Sequence, residues 1–116
     1  MGVKTKCIYE KPDSTDGYRV LVMRYWPRGI RKDKVNRWER ELGAPADLIT
    51  KWKNGSIKWA EFLREYLKSV KLQEDKIEEL ALMAESRDIT LLCSCRDENH
   101  CHRKLLKKLI EVKIGV

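Results

Sequence analysis

Between Lys58 and Lys71 the apolar side chains return every third or fourth position, at Trp59, Phe62, Leu63, Tyr66, Leu67 and Val70. That spacing lays one stripe along one face of a helix and is the clearest periodic signal in the chain. Ser56, just upstream, offers a side-chain oxygen to cap it. A second stripe at Ile77, Leu80, Ala81 and Ala84 predicts a helix from about Glu74 to Ser86, and Leu105, Leu106, Leu109 and Ile110 predict another beginning near Cys101. Pro45 suits a first helical position, with Leu48, Ile49 and Trp52 on the buried side until Asn54-Gly55. Upstream of these, Asp33 as N-cap, Val35, Trp38 and Leu42 in step, and Gly43 as a stop predict one more helix over 33–42.

Strands are expected where the period shortens to two or the apolar run is continuous. Val3, Thr5, Cys7 and Tyr9 are interleaved with Lys4, Lys6 and Ile8, the pattern of a half-exposed strand. Tyr18 to Met23 is nearly all apolar after Arg19, and so is Ile89 to Cys93, as for strands covered on both faces. A loop rich in Pro12, Asp13, Ser14, Asp16 and Gly17 separates the first two. The order strand, strand, helices, strand, helix predicts a single α/β domain with a short, mainly parallel central sheet flanked by helices. The long helical connection lets the Ile89 strand run parallel to the Tyr18 strand, so that both carboxyl ends open on one edge. The turn after the first, Arg24-Tyr25-Trp26-Pro27-Arg28-Gly29, then faces the loop after the second.

Length and charge narrow the function classes. A chain of 116 residues suffices for one domain with a core of its own and leaves no room for a second. No apolar run approaches a membrane span or the core of a signal peptide, so a cytoplasmic protein with no membrane partner is expected. A formal net charge of +7 favours anionic partners, a nucleotide or another anionic small molecule first and nucleic acid second. The lysines are spread among helical glutamates rather than massed in one block, which equally describes a solvated basic surface. Four cysteines in such a chain point to metal, catalysis or redox chemistry before structural disulfides. Nothing in the sequence calls for a resident organic cofactor or sets an oligomeric state.

The chemistry concentrates in Leu91-Leu92-Cys93-Ser94-Cys95-Arg96-Asp97-Glu98-Asn99-His100-Cys101-His102-Arg103, which holds three of the cysteines and both histidines. Together with Val22-Met23-Arg24-Tyr25-Trp26-Pro27-Arg28-Gly29, this segment resembles the signature of the family catalogued as domain of unknown function 488. Trp38, Glu41-Leu42, Ala44-Pro45, Leu48, Trp52, Trp59, Phe62 and Tyr66 extend the resemblance over nearly the whole chain. It implies a compact α/β domain whose signature residues gather around one cleft, and it implies no particular reaction.

Three chemistries compete for that cleft. In the first, Cys95 is a nucleophile, with Cys101 as the alternative. A thiol facing a helix N-terminus beside His and Arg is stabilised as the thiolate. His102 is then the proton-transfer group, and Arg24, Arg28 and Arg103 clamp a phosphate- or carboxylate-bearing ligand. Asn99 and His100 line the loop, while Trp26 offers a face on which a base can stack, unless it simply packs in the core. The phosphatase signature of a cysteine with an arginine closing the loop is absent, since Cys101 stands six positions after Cys95. Asp97 and Glu98 oppose a bound phosphate unless they turn away or act as general acids. In the second reading Cys93, Cys95, Cys101 and His100 or His102 hold zinc in a nucleic-acid-binding module, although the spacing is not that of known fingers or ribbons. In the third, Cys95 and Cys101 form a reversible disulfide. Against all three, Cys93 and Cys7 read as packed core thiols, and Arg103 as a side chain lying along its helix.

Overall fold

The computed structural model describes residues 2–115. Four strands, β1 (Gly2–Cys7), β2 (Tyr18–Leu21), β3 (Arg37–Trp38) and β4 (Asp88–Cys93), form one sheet in the order β1-β4-β2-β3. Every neighbouring pair is parallel. Four helices complete the domain: α1 (Ala46–Lys53), α2 (Trp59–Lys71), α3 (Glu74–Ser86) and α4 (His102–Ile114). This is the α/β class that the alternating periodicities predict. No helix among the described residues is long and apolar enough to cross a membrane.

Strand alternation sorts the apolar side chains onto two faces. Val20, Val22, Ile89 and Leu91 point into the larger core with Leu48 of α1, Phe62, Tyr66 and Val70 of α2, Ile77 and Leu80 of α3, and Leu106 and Ile110 of α4. The intervening Leu21 and Leu92, with Ile8, point into a smaller core closed by Met23, Trp26, Ile30, Val35 and Trp38. All four helices therefore feed one face of the sheet, while turns and the Trp38 side chain cover the other.

The helix expected over 33–42 does not form. Short 3-10 turns at Lys32–Lys34 and Arg40–Leu42 flank β3 instead. The cause is the open edge of β2, whose backbone groups need partners. The Asn36 N–H donates to Arg19 O at 2.9 Å, and the Glu39 N–H to Leu21 O at 2.8 Å. The Asn36 side chain accepts from the Arg19 N–H at 2.8 Å. Val35 and Trp38, spaced as for a helix face, reach the smaller core from this extended segment, whereas Leu42 turns into the larger one. Ser56 is likewise not the cap of α2. Its N–H and hydroxyl bond to Asn54 Oδ1, and Lys58 occupies the cap position without a side-chain hydrogen bond.

The β1–β2 connection crosses close over the start of β4. The Thr90 hydroxyl donates to Asp16 O at 2.6 Å, and a Cβ on Gly17, whose φ is +66°, would lie 2.3 Å from Asp88 O. Only glycine fits that crossing. Beside it the buried Asp16 carboxylate pairs with the Arg19 guanidinium and, at 3.1 Å, with Lys6 Nζ. Burial opposes the Asp16 charge, yet hydrogen bonds from the Asp13 backbone, Lys6 and Arg19 outweigh it and hold the carboxyl below its ordinary 3.8.

Because the folded-state value is depressed, this carboxylate stabilises the fold at pH values above the carboxylate range, and its contribution is lost as pH falls below 3.8. Asp16→Asn, which strands the buried Arg19 charge, is expected to cost about 3 kcal/mol at neutral pH. Urea denaturation of both proteins across pH 7 to 3 is expected to show the gap closing toward the acid end.

Candidate functional site

Parallel pairing aligns the carboxyl ends of β2 and β4. The ladder continues one rung past β2, where the Val22 N–H donates to Leu92 O at 2.9 Å. Met23-Arg24-Tyr25 therefore leaves the sheet beside Cys93-Ser94-Cys95, and the two segments, with α1, α2 and the start of α4, enclose a cleft of about 300 Å³. Its lining includes Arg24, Cys95, His100, Cys101 and His102 among the residues expected at the site. Its opposite wall is aromatic: Trp52 on α1 faces Trp59 on α2 at 5.0 Å between centroids, and Phe62 stacks on Trp59 at 4.6 Å.

The sulfurs of Cys93, Cys95 and Cys101 converge within 4.8 Å of one another at the floor of this cleft. They come from the last residue of β4, the loop after it, and the residue before α4. Cys93 is buried as expected, but its thiol is part of this cluster and not ordinary core filling, since it donates to Cys95 Sγ at 3.6 Å. Cys7 is the structural thiol, buried and donating to Ser94 O at 3.7 Å. All four cysteines are free. Of the three sulfurs, that of Cys95, the only one of these residues that is partly exposed, is the one whose thiolate form the surroundings favour. Hydrogen bonds from Cys101 and Cys93, against the opposing effect of burial, hold Cys95 far below the usual thiol range. Donation from Cys101 pulls Cys93 down, but its own bond to Cys95, its burial and the Cys95 charge together push it up to about 12. Hydrogen bonding with Cys93 and Cys95, together with burial, favours the thiol form of Cys101 and pushes it far up.

The two histidines have opposite environments. His102 is buried against Tyr66, and burial lowers its pKa, so the ring is neutral. Its Nε2 bonds to Val22 O at 2.5 Å, which makes Nε2 the protonated nitrogen and leaves Nδ1 facing Cys101 Sγ at 4.0 Å. His100 is exposed at the rim. Its Nδ1 meets Asp97 Oδ2 at 2.7 Å, and its ring packs against Trp52 and Trp59. The bond to His100 is the leading cause of the lowered Asp97 pKa. Asp97 thus orients the imidazole, a pairing invisible to spacing alone because a 3-10 turn at Glu98–His100 creates it. The Glu98 side chain lies outside the described residues.

Of the three arginines, only Arg24 lines the cleft, with Nε and Nη2 donating to Ala44 O and Gly43 O, both at 3.3 Å, and Nη1 paired with Glu41. Arg103 is buried beneath the loop, where Nη1 donates to Cys95 O at 2.7 Å and Cys93 O at 3.3 Å. Its side chain therefore holds the loop in place and does not lie along the helix surface. Arg28 is exposed in the turn, with its carbonyl accepting from the Tyr9 hydroxyl. Trp26 packs edge-on against Trp38 in the smaller core and donates to Ile30 O, so its ring is not in the cleft. Asn99 sits outside the cleft, its Oδ1 accepting from Lys104 Nζ. Lys53 and the aromatic wall line the cleft without having been singled out from the sequence. The apolar periodicity located those rings but assigned them to packing.

Fold and site together define a small α/β protein with a thiol cluster at the carboxyl edge of a parallel sheet. The chain belongs to the DUF488-N3a family, described as the active DUF488-N3 subclade, which matches residues 3–113. It is 31% identical to the uncharacterized protein YeaO of Escherichia coli K12 over 91% of this chain and 94% of that one. It is also 32% identical to the uncharacterized proteins Rv3073c of Mycobacterium tuberculosis and Mb3100c of Mycobacterium bovis, over 76% of this chain and 70% of each. No solved structure matches it.

Gly43 sets the position of the Arg24 segment. A Cβ there would lie 2.3 Å from the Arg24 backbone nitrogen and 2.6 Å from the Met23 carbonyl carbon, so the demand for glycine is steric and not the helix stop read from the sequence. Gly43→Ala is expected to destabilise by about 1–3 kcal/mol and to disturb the cleft. Thermal melts, with backbone NMR shifts at residues 22–25, check both effects.

Proposed function

We propose that this protein is an enzyme acting on a small anionic molecule that carries a flat ring, nucleotides foremost, with Cys95 as the nucleophile. The observation that carries the reading is the position of the Cys95 sulfur. It is partly exposed at the floor of a cleft whose far wall is Trp52, Trp59 and Phe62. Rings stacked on such a wall gain about 1–3 kcal/mol each, with little preference among bases. Arg24 and Lys53 at the cleft supply positive charge for the anionic group, and the start of α4 adds the favourable end of its dipole.

In the reaction class this arrangement supports, the Cys95 sulfur attacks an electrophilic centre of the ligand. A bond from sulfur forms as the leaving group departs, taking a proton from His100, which Asp97 orients. Water, giving its proton back to His100, then releases the transferred group and restores the thiolate. His102, committed to Val22 O and Cys101, supports the thiol pair from beneath. Arg103 keeps the Cys95 backbone in place. Arg28, Trp26 and Asn99 contribute through the folds of their turns and not through the cleft.

Alkylation of the reduced, metal-stripped protein, read by peptide mass spectrometry, tests the proposal. Cys95 is expected to label first, and Cys93, Cys101 and Cys7 last. Adenosine monophosphate is expected to slow that labelling and quench tryptophan fluorescence, while ribose 5-phosphate, with the same phosphate but no flat aromatic base, does much less. Labelling of Cys95 no faster than Cys7 would remove the nucleophile. Equal protection by the two phosphates, or none by any of the four common nucleoside monophosphates, would remove the ring-bearing ligand.

A further inference from the structure

The three sulfurs also have the geometry of a coordination site. In a tetrahedral thiolate site with metal–sulfur bonds of about 2.3 Å, the sulfurs stand about 3.8 Å apart. Here Cys93 and Cys95 are 3.6 Å apart and all three sulfurs fall within 4.8 Å of one another, so small side-chain rotations suffice to close on one cation.

The backbone that carries them is pinned from several directions. Arg103 holds the carbonyls of Cys93 and Cys95, Cys7 holds that of Ser94, and Cys101 occupies the N-cap position of α4. The Arg103 guanidinium, bonded to the carbonyls of Cys93 and Cys95, adds a positive charge beside a site in which three thiolates around a divalent ion leave an excess negative one. Such outer partners are what orient metal ligands in built sites. No histidine or carboxylate among the described residues joins the sulfurs within the same distance, so the set is three and not four. All three cysteines line the aromatic cleft. A three-ligand site with one side open is the arrangement of reactive metal centres, whereas structural ones are closed. Thiolate ligands select soft or borderline cations over magnesium and calcium.

We propose that Cys93, Cys95 and Cys101 bind one thiophilic cation of the zinc class, with a single coordination position left open toward the cleft. As the metal–sulfur bonds form, any proton still on a ligating sulfur passes to solvent. The inference goes beyond the nucleophile reading and stands apart from it: a bound cation caps Cys95, and the metal-free chain leaves that sulfur reactive.

The test is a titration of the reduced, metal-stripped protein with Co²⁺ as probe, followed by Zn²⁺. Expected are sulfur-to-cobalt charge-transfer absorption and the intense visible bands of a tetrahedral ion, saturating at one equivalent and erased by zinc. Removing an outer partner of a metal site costs 10- to 100-fold in affinity, so loss of a ligand in Cys95→Ser is expected to weaken binding by more than about a hundredfold. Cys7→Ser, outside the cluster and with a hydroxyl still able to donate toward Ser94 O, is expected to weaken it far less than Cys95→Ser does. Because Cys93 and Cys101 are buried, their participation is read on the unaltered chain by X-ray absorption of the zinc-loaded protein, with three sulfurs expected near 2.3 Å. A missing charge-transfer band, a zinc shell of nitrogen and oxygen alone, or equal weakening by Cys7→Ser overturns the proposal. Rapid Cys95 labelling without a cobalt band removes the cation and keeps the nucleophile, and a cobalt band with a sluggish metal-free thiol does the reverse.

Discussion

The backbone hydrogen bonding of β4 on both of its edges is the constraint from which the rest follows. β1 and β2 both run parallel to it, so Cys7 lies level with Cys93, and Leu21 with Leu92. Parallel strands deliver all their carboxyl ends to one edge, and the following segments have to turn there. Two stretches some seventy residues apart in sequence are thereby laid side by side, and the cleft between them is a product of register. Had β2 run antiparallel, Arg24 and Cys95 would leave from opposite edges of the sheet.

Much of this was legible in the chain. The periodicities of α2, α3 and α4 correspond to buried stripes, and the continuous apolar runs correspond to central strands with their ends on one edge. Where the reading failed, long-range partners decided the outcome. Val35, Trp38 and Leu42 have helical spacing, but the unsatisfied edge of β2 drew the backbone around residues 36–39 into pairing, a demand that no local window contains. Gly43 looked like a helix stop because its true partner, the Met23–Arg24 backbone, lies twenty residues earlier. The density of cysteine and histidine over residues 93–103 marked the segment whose sulfurs converge. It did not reveal which side chains turn inward: Arg103 beneath the loop, Cys93 into the sulfur cluster, Asp97 onto His100.

The placement of charge around the cleft follows one logic. Buried or half-buried guanidinium groups are spent on backbone carbonyls, as at Arg24 and Arg103, where they fix loops that have no regular ladder of their own. With no cation between them, three adjacent thiols do not all ionise, and the Cys93 thiol donates to Cys95. The negative charge is then held by polarisable S–H groups and a fixed cation instead of by water. A centre of this kind is sensitive to whatever occupies the remaining open side, whether a ring, an anion or a cation.

The unequal dressing of the two sheet faces has a mechanical corollary. Four helices and the larger hydrophobic cluster brace one side, while five side chains, mostly from turns, close the other over Ile8, Leu21 and Leu92. Local opening events begin where few apolar contacts resist them, which here means β3 and the Trp26–Trp38 side. Tyr25, exposed at the mouth of the cleft, hangs from that weaker half. The sulfurs and the aromatic wall are anchored in the stronger one. One side of the cleft is thus rooted in the larger hydrophobic cluster and the other in the smaller, so the two walls rest on unequal foundations.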